Sequence, residues 1–205
     1  MRWLVCGVLL ILFSIESGAV DQFLIPEHNP KPIYPPALQR AGIIGDVRVS
    51  LTAHFDGSVS NVKILQSDHP DLAEATTAAI AQWRFKPWTI EGGKPAEQEV
   101  IAPMMFRYDS SPPLHLNQWI NKLKCREFNQ AIVNTADHDW IDLPAFHYTR
   151  AYLTNSFSVK TLSNERRLAL IAKMNKQVPI IARQCLNNPV SRFARFLPED
   201  IRKLL

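Results

Sequence analysis

Glycine is scarce in this chain, with seven in 205 residues. That leaves little material for Gly-rich phosphate cradles, and no Gly-x-Ser-x-Gly elbow, phosphate-binding loop or His-Glu-x-x-His pair occurs. No apolar run reaches the roughly 20 residues that a bilayer-crossing helix needs. Cysteine is limited to three residues, and neither sign of charge dominates, with 23 Lys and Arg against 19 Asp and Glu. Known catalytic motifs therefore give an enzyme no positive support, and no cofactor is implied. A hydrophobic content of 46% is ordinary for a chain that buries a core, so disorder is not expected either.

The longest apolar run, Trp3 to Ile15, follows Arg2 and precedes Glu16, Ser17, Gly18 and Ala19. This is the layout of a secretory signal peptide, residues 1–19, with cleavage expected after Ala19; retention as a membrane anchor is the alternative. Cys6 lies inside the run, not behind it as a lipidation site requires. Export leaves Cys125 and Cys185 in a compartment where disulfides persist, and their pairing is the expectation, with two buried free thiols the alternative. A nucleic-acid partner is a poor fit for an exported protein. Charge divides unevenly: residues 20–159 carry 12 Lys/Arg against 15 Asp/Glu, and residues 160–205 carry 10 against 3. The basic end reads either as a solvated helix face or as a contact for an anionic surface.

Along the chain, Pro26, Pro30 and Pro32 mark residues 20–31 as an extended lead-in. Tyr34-Pro35-Pro36 opens a short helix that stops at Gly42. From Asp46 to Phe55, Val47, Val49, Leu51, Ala53 and Phe55 alternate with polar residues, which predicts a strand with one buried face. Asp56-Gly57 suits a tight turn, and Val59 to Ser67 forms the return strand, whose parity change requires a bulge near Ser60 or Asn61. Ser67 or Asp68 is expected to cap a helix with Leu72, Ala75, Ala79 and Trp83 on its inner stripe. A short strand near Phe85 and a last one from Glu99 to Tyr108 follow. Pro103 lies inside that last strand, which makes it an edge or a bulged strand. Beyond Ser110-Ser111-Pro112-Pro113 the pattern turns helical. Leu116 to Phe128 forms one stripe, Pro144 to Tyr152 a second, and Ser163 to Leu186 the longest, with a kink expected at Pro179.

The landmarks Tyr34-Pro35, Gly42, Gly45, Asp56-Gly57, Ser67, Pro70, Trp83-Arg84-Phe85, Pro87, Gly93, Pro103 and Phe106, in that order, resemble the C-terminal domain of TonB-family energy transducers. The resemblance implies an α+β fold over residues 32–110, a small antiparallel sheet with two helices packed on it, followed by an all-α region over residues 114–205. It also implies capture of an extended segment of an envelope transport protein by strand addition at the sheet edge. Ile101, Pro103, Met105 and Arg107 are the candidate contacts on that edge. Tyr34, Pro35, Gly45, Asp56, Gly57, Trp83, Phe85 and Pro87 each have a fold-building role instead.

Three functions follow as expectations. The first is a periplasmic peptide-binding protein linked to transmembrane transport. The second is a membrane-tethered TonB energy transducer with a retained N-terminal helix, facing the periplasm from the inner membrane. The third is a structural envelope protein whose basic half, residues 160–205, binds an anionic surface. Asp137-His138-Asp139 with His147 is the most ligand-like cluster, but neighbours on one loop point apart, and a surface loop is the expectation over a metal site.

Overall fold

The computed structural model describes residues 24–108, 115–155 and 162–205. The signal peptide with its cleavage position and the Ser110–Pro113 linker lie outside the described residues. Among those described, no helix is long and apolar enough to cross a membrane.

The architecture is α+β, as the resemblance implies. The described residues form two antiparallel sheets: β2 (Gly45–His54) lies between β3 (Val59–Ser67) and β5 (Glu97–Phe106), while β1 (Pro26–His28) pairs with β4 (Arg84–Phe85). The lead-in is thus partly a strand, a pairing that three residues without a period could not announce. Val47, Val49, Leu51 and Ala53 of β2 are fully buried. They face Leu72, Thr76, Ala79 and Ile80 of α2 (Pro70–Ile80), and each large apolar side chain contributes about 1.5–3 kcal/mol by leaving water. Trp83 lies past the end of that helix rather than on its stripe; its indole N–H donates to the Pro30 carbonyl at 3.0 Å. The helix cap is also displaced from Ser67 or Asp68 to His69, whose Nδ1 accepts the Asp71 N–H at 3.2 Å. Asp68 is occupied elsewhere, its carboxylate accepting the Asp46 N–H at 2.8 Å.

At the β2–β3 turn Gly57 has φ +82°. The Phe85 carbonyl packs so close that a Cβ at Gly57 would stand 2.0 Å from its oxygen. The turn and β4 are locked by the Phe85 N–H donating to the Gly57 carbonyl at 2.9 Å, so this glycine answers two constraints at once. The bulge expected near Ser60 or Asn61 is present: the register shifts between Ser50 and Thr52, and Asn61 has φ +51°.

The helical region builds its own core around Phe128, Phe146 and Phe193, whose ring centroids lie 5.0–5.6 Å apart. Its elements are α3 (Leu116–Lys122), α4 (Cys125–Ile132), a 3-10 helix (Asp137–Asp142), α5 (Pro144–Thr154), α6 (Asn164–Asn187), a second 3-10 helix (Phe193–Phe196) and α7 (Glu199–Arg202). The single stripe expected from Leu116 to Phe128 is two helices. Leu123 leaves helical geometry at ψ 120°, because its carbonyl takes the Phe193 N–H at 2.9 Å and Lys124 bridges to Arg192. Pro179 lies within α6, exposed, and the helix runs on through it.

The two cores meet at α1 (Pro36–Ala41), a helix of six residues and too short to be stable by itself. Gly42 ends it at φ +77°. The carbonyls left open at that end find donors on distant elements. Tyr108 Oη donates to the Gln39 carbonyl, Asn175 Nδ2 to that of Arg40 at 2.7 Å, and Arg167 to that of Gly42. Arg150, almost wholly buried, donates to the Ile141 carbonyl at 2.8 Å and to Asn175 Oδ1 at 3.1 Å, so it orients the asparagine that holds α1. Burial pushes both arginines below their ordinary range and raises the Tyr34 and Tyr108 phenols to about 12. At the rim, Arg40 meets Asp142 at 2.5 Å, and its hydrogen bond holds the Asp142 carboxyl below the usual range.

Cys125 and Cys185 are joined, with Cα atoms 4.9 Å apart and a sequence separation of 60. The bond ties the start of α4 to the end of α6, and a loop of this size implies a loop-entropy contribution of about 4 kcal/mol. The Cys125→Ser, Cys185→Ser double variant is expected to lose about 2–5 kcal/mol in denaturant unfolding. Thiol labelling of the unfolded, unreduced mature protein is expected to find none, and two reactive thiols would contradict the pairing.

Candidate functional site

A three-stranded sheet has two edges, and here they differ. The β3 edge carries two register shifts, and such bulges twist an edge away from flat pairing. β5 instead pairs with β2 without interruption, from Gly45 with Phe106 to His54 with Glu97. Among the described residues no strand pairs with its outer side, which is the straight edge of the sheet.

Which atoms that edge offers follows from parity. Asp46 N–H donates to the Asp68 carboxylate, and its carbonyl accepts the Asp68 N–H at 3.1 Å; His54 N–H donates to the Ser58 carbonyl at 2.9 Å. Even-numbered residues of β2 thus turn their backbone toward β3, and odd-numbered ones toward β5, as Phe55 does just past the strand by donating to the Ala96 carbonyl at 2.9 Å. Val100, Ala102, Met104 and Phe106 pair with Leu51, Val49, Val47 and Gly45 and complete that ladder. Glu97, Glu99, Ile101, Pro103 and Met105 therefore point their backbone groups outward. Pro103 lacks a donor at a position where the donor would have faced away from β2, which is why it interrupts nothing in the sheet. The outward donors are the N–H groups of Glu97, Glu99, Ile101 and Met105; the Glu99 carbonyl already accepts the Gln98 side-chain amide at 2.9 Å.

Side chains divide with the same period. Val100, Ala102 and Met104 are half-buried and Phe106 buried, whereas Ile101 is 52% exposed and Met105 75%. At the far end of the strand, Lys31 and Pro32 of the lead-in approach Pro103, Met104, Met105 and Phe106 across an open groove of about 300 Å³. That wall has no sequence signature beyond the proline spacing. The opposite end is acidic: Glu99 accepts the Ser50 hydroxyl at 2.7 Å, and Glu97 lies 3.3 Å from His54 Nδ1.

Of the four predicted contacts, Ile101, Pro103 and Met105 share one exposed face. Arg107 is exposed as well but lies past the end of the strand, with its guanidinium engaged by Asp46, the register partner of Met105. The strand ends at Phe106, two residues before the predicted boundary, and the Arg107 guanidinium turns back to the Asp46 carboxylate at 2.7 Å and to the Gly45 carbonyl at 2.9 Å. Tyr108, predicted inside the strand, packs edge-on against Tyr34 at 6.3 Å and joins the helical core. The landmark residues frame the edge from behind. Tyr34 Oη donates to the Ile43 carbonyl at 2.5 Å, Pro35 caps α1, and Gly45 opens β2 beneath Leu72. Asp56 accepts the Ser58 N–H and hydroxyl, Trp83 and Phe85 stack edge-to-face at 6.5 Å, and Pro87 packs on the turn at Gly57. Among the described residues no group of three His, Cys, Asp or Glu is placed to hold a metal ion. Asp137–Asp142 forms the 3-10 helix, with Asp142 committed to Arg40.

Comparison with known proteins bears on this frame. Residues 30–108 match the family model described as the Gram-negative bacterial TonB protein C-terminal. Protein TonB of Xanthomonas campestris pv. campestris is 39% identical over 92 residues, which cover 44% of this chain and 40% of that protein. Protein TonB of Pseudomonas aeruginosa is 29% identical over 98 residues, 47% of this chain and 28% of that protein. The chain thus spans well under half the length of these curated relatives. The solution NMR structure of the Pseudomonas aeruginosa TonB CTD aligns at a TM-score of 0.39 and 28% identity, over 45% of this chain and 94% of that one.

Parity makes a pair of proline substitutions diagnostic. Met104→Pro removes a donor from the β2 ladder and is expected to cost about 3 kcal/mol or more. Met105→Pro removes an outward donor and is expected to cost about 1 kcal/mol or less. Chemical denaturation of both variants checks the assignment; equal losses would contradict it.

Proposed function

With residues 30–108 belonging to the TonB C-terminal domain family, we propose that this protein binds extended peptide segments of envelope transport proteins by taking them up as a further strand along β5. One observation carries the reading: the sheet keeps a straight, unbulged edge, and the outward N–H groups along it have no hydrogen-bond partner among the described residues. An exposed edge of that kind is either protected or used. Here protection is partial, since a single proline removes one outward donor and leaves Glu97, Glu99, Ile101 and Met105 to pair.

In this mode, main-chain hydrogen bonds supply affinity and side-chain contacts supply selectivity. Ile101 and Met105 lie on the exposed face, two positions either side of Pro103, and give an incoming strand apolar contacts at its own period of two. The groove at Lys31 and Pro32 is the pocket that a side chain of the partner would enter. Arg107 acts indirectly, by fixing the end of β5 to Asp46, and is a positioning residue. The reading is one of binding, without a chemical step, and places the protein in the periplasm, with residues 32–110 as the binding module and residues 114–205 as its helical partner.

The test uses labelled peptides copying the plug-side segments of outer-membrane transporters from the same cell, titrated against the mature protein. Met105→Pro is expected to weaken capture at least about tenfold, the equivalent of about 1.4 kcal/mol, while circular dichroism and the unfolding midpoint stay close to wild type. A folded Met105→Pro protein that binds at unchanged affinity would show that the site lies elsewhere.

A further inference from the structure

The basic residues of the helical region are not spread evenly. Lys173 is committed to Asp200 at 2.7 Å, Lys203 to Glu199 at 2.9 Å, and Arg167 is buried on the Gly42 carbonyl. A different set gathers where two distant segments pair through their backbones. Cys125 N–H donates to the Ser191 carbonyl at 2.8 Å, Arg126 N–H to that of Pro189 at 2.9 Å, and Phe193 N–H to that of Leu123 at 2.9 Å. Lys124 and Arg192 form the bridge between them. This pairing brings Lys122, Lys124 and Arg126, alternating along one segment, beside Arg192 and Arg195 on the other. All five are exposed, and none has an ion-pair partner within 4 Å among the described residues. The one acidic residue in the paired segments, Glu127, turns its carboxylate to the Lys124 N–H at 3.3 Å. Amid these charges, on the turn after α6, stands Val190, 87% exposed.

We propose that this cationic tip docks on the anionic phospholipid headgroups of a membrane surface, with Val190 entering the headgroup layer. Clustered long cationic side chains can reach several phosphates at once, and an unpaired cluster gains more from an anionic surface than cations already matched in the fold. A side chain as exposed as Val190 projects from the tip and does not wall a groove, which favours insertion into a soft interface over a fitted contact with a folded acidic protein. The disulfide holds the tip rigid, because Cys125 sits between Lys124 and Arg126 and is bonded to the end of α6. The proposal does not depend on β5, and it moves the anionic contact from residues 160–205 at large to Lys122, Lys124, Arg126, Arg192 and Arg195.

Sedimentation of the mature, oxidised protein with vesicles tests it, using phosphatidylcholine alone and phosphatidylcholine mixed with phosphatidylglycerol. Binding is expected only to the mixed vesicles, and is expected to fall as ionic strength rises above about 0.1 M, where screening acts within about 10 Å. Lys124→Glu with Arg192→Glu is expected to weaken it at least about tenfold. Lys176→Glu with Arg183→Glu, on the exposed side of α6, is expected to change it less than about twofold. Should the first pair disturb folding by circular dichroism, Arg126→Gln with Arg195→Gln serves in its place, with a loss in the same direction. Val190→Ser is expected to weaken vesicle binding while leaving binding to soluble polyglutamate unchanged. Wild-type indifference to the mixed vesicles, equal effects of the two reversal pairs, or polyglutamate binding that matches vesicle binding with no effect of Val190→Ser would each overturn the proposal; the last would indicate an acidic protein as partner.

Discussion

The ladder between β2 and β5 decides what the rest of this fold can present to a partner. Its register is uninterrupted from Gly45 with Phe106 to His54 with Glu97, so every odd-numbered residue of β5 turns its backbone away from the sheet. A shift of one residue would bury Ile101 and Met105, expose Met104 and Phe106, and place Pro103 where β2 needs a donor. Three independent requirements, apolar burial, polar satisfaction and the missing proline N–H, are met together only by registers of this parity. The edge that results is both the sheet's open side and its least distorted one.

Support for that ladder reaches far beyond it. The far end of β5 is pinned by Arg107 to Asp46 and by Tyr108 to the last turn of α1. That turn is itself held by Arg167 and Asn175 of α6, and Arg150 on α5 orients Asn175. Buried arginines are costly when unmatched, so removing a carbonyl partner costs more than the bond itself contributes. The helical region is therefore structurally continuous with the frame behind the edge. Its disulfide fixes α6 at one end, and α6 in turn fixes α1 near the other.

Periodic features were legible in the residues. The alternation of Val47 to Ala53, the Asp56-Gly57 turn, the bulge at Asn61 and the exposure of Ile101 and Met105 all follow from a period of two, which sequence carries directly. What stayed hidden depended on partners far along the chain. Leu123 and Lys124 carry no strong breaker, yet the helix divides there because backbone from residues 189–193 competes for their groups. His69 caps α2 because Asp68 is drawn to Asp46. Arg107 looked like a free edge residue, since the alternation that placed it ran two residues past the real end of the strand. Lys31 and Pro32 beside Met105, and the basic tip at Lys124 and Arg192, join segments that no local pattern connects.

The central claim is that β5 offers its outward backbone groups to an incoming strand, and residue-resolved amide hydrogen exchange tests it most directly. In the free protein, the amides of Val100, Ala102 and Met104 should be protected by the β2 ladder, and those of Glu99, Ile101 and Met105 should exchange freely. On addition of a transporter peptide, protection should appear at Glu99, Ile101 and Met105, alternating with the positions already slow. Protection that leaves these three amides unchanged at saturating peptide, or that appears instead along β3, would contradict the claim.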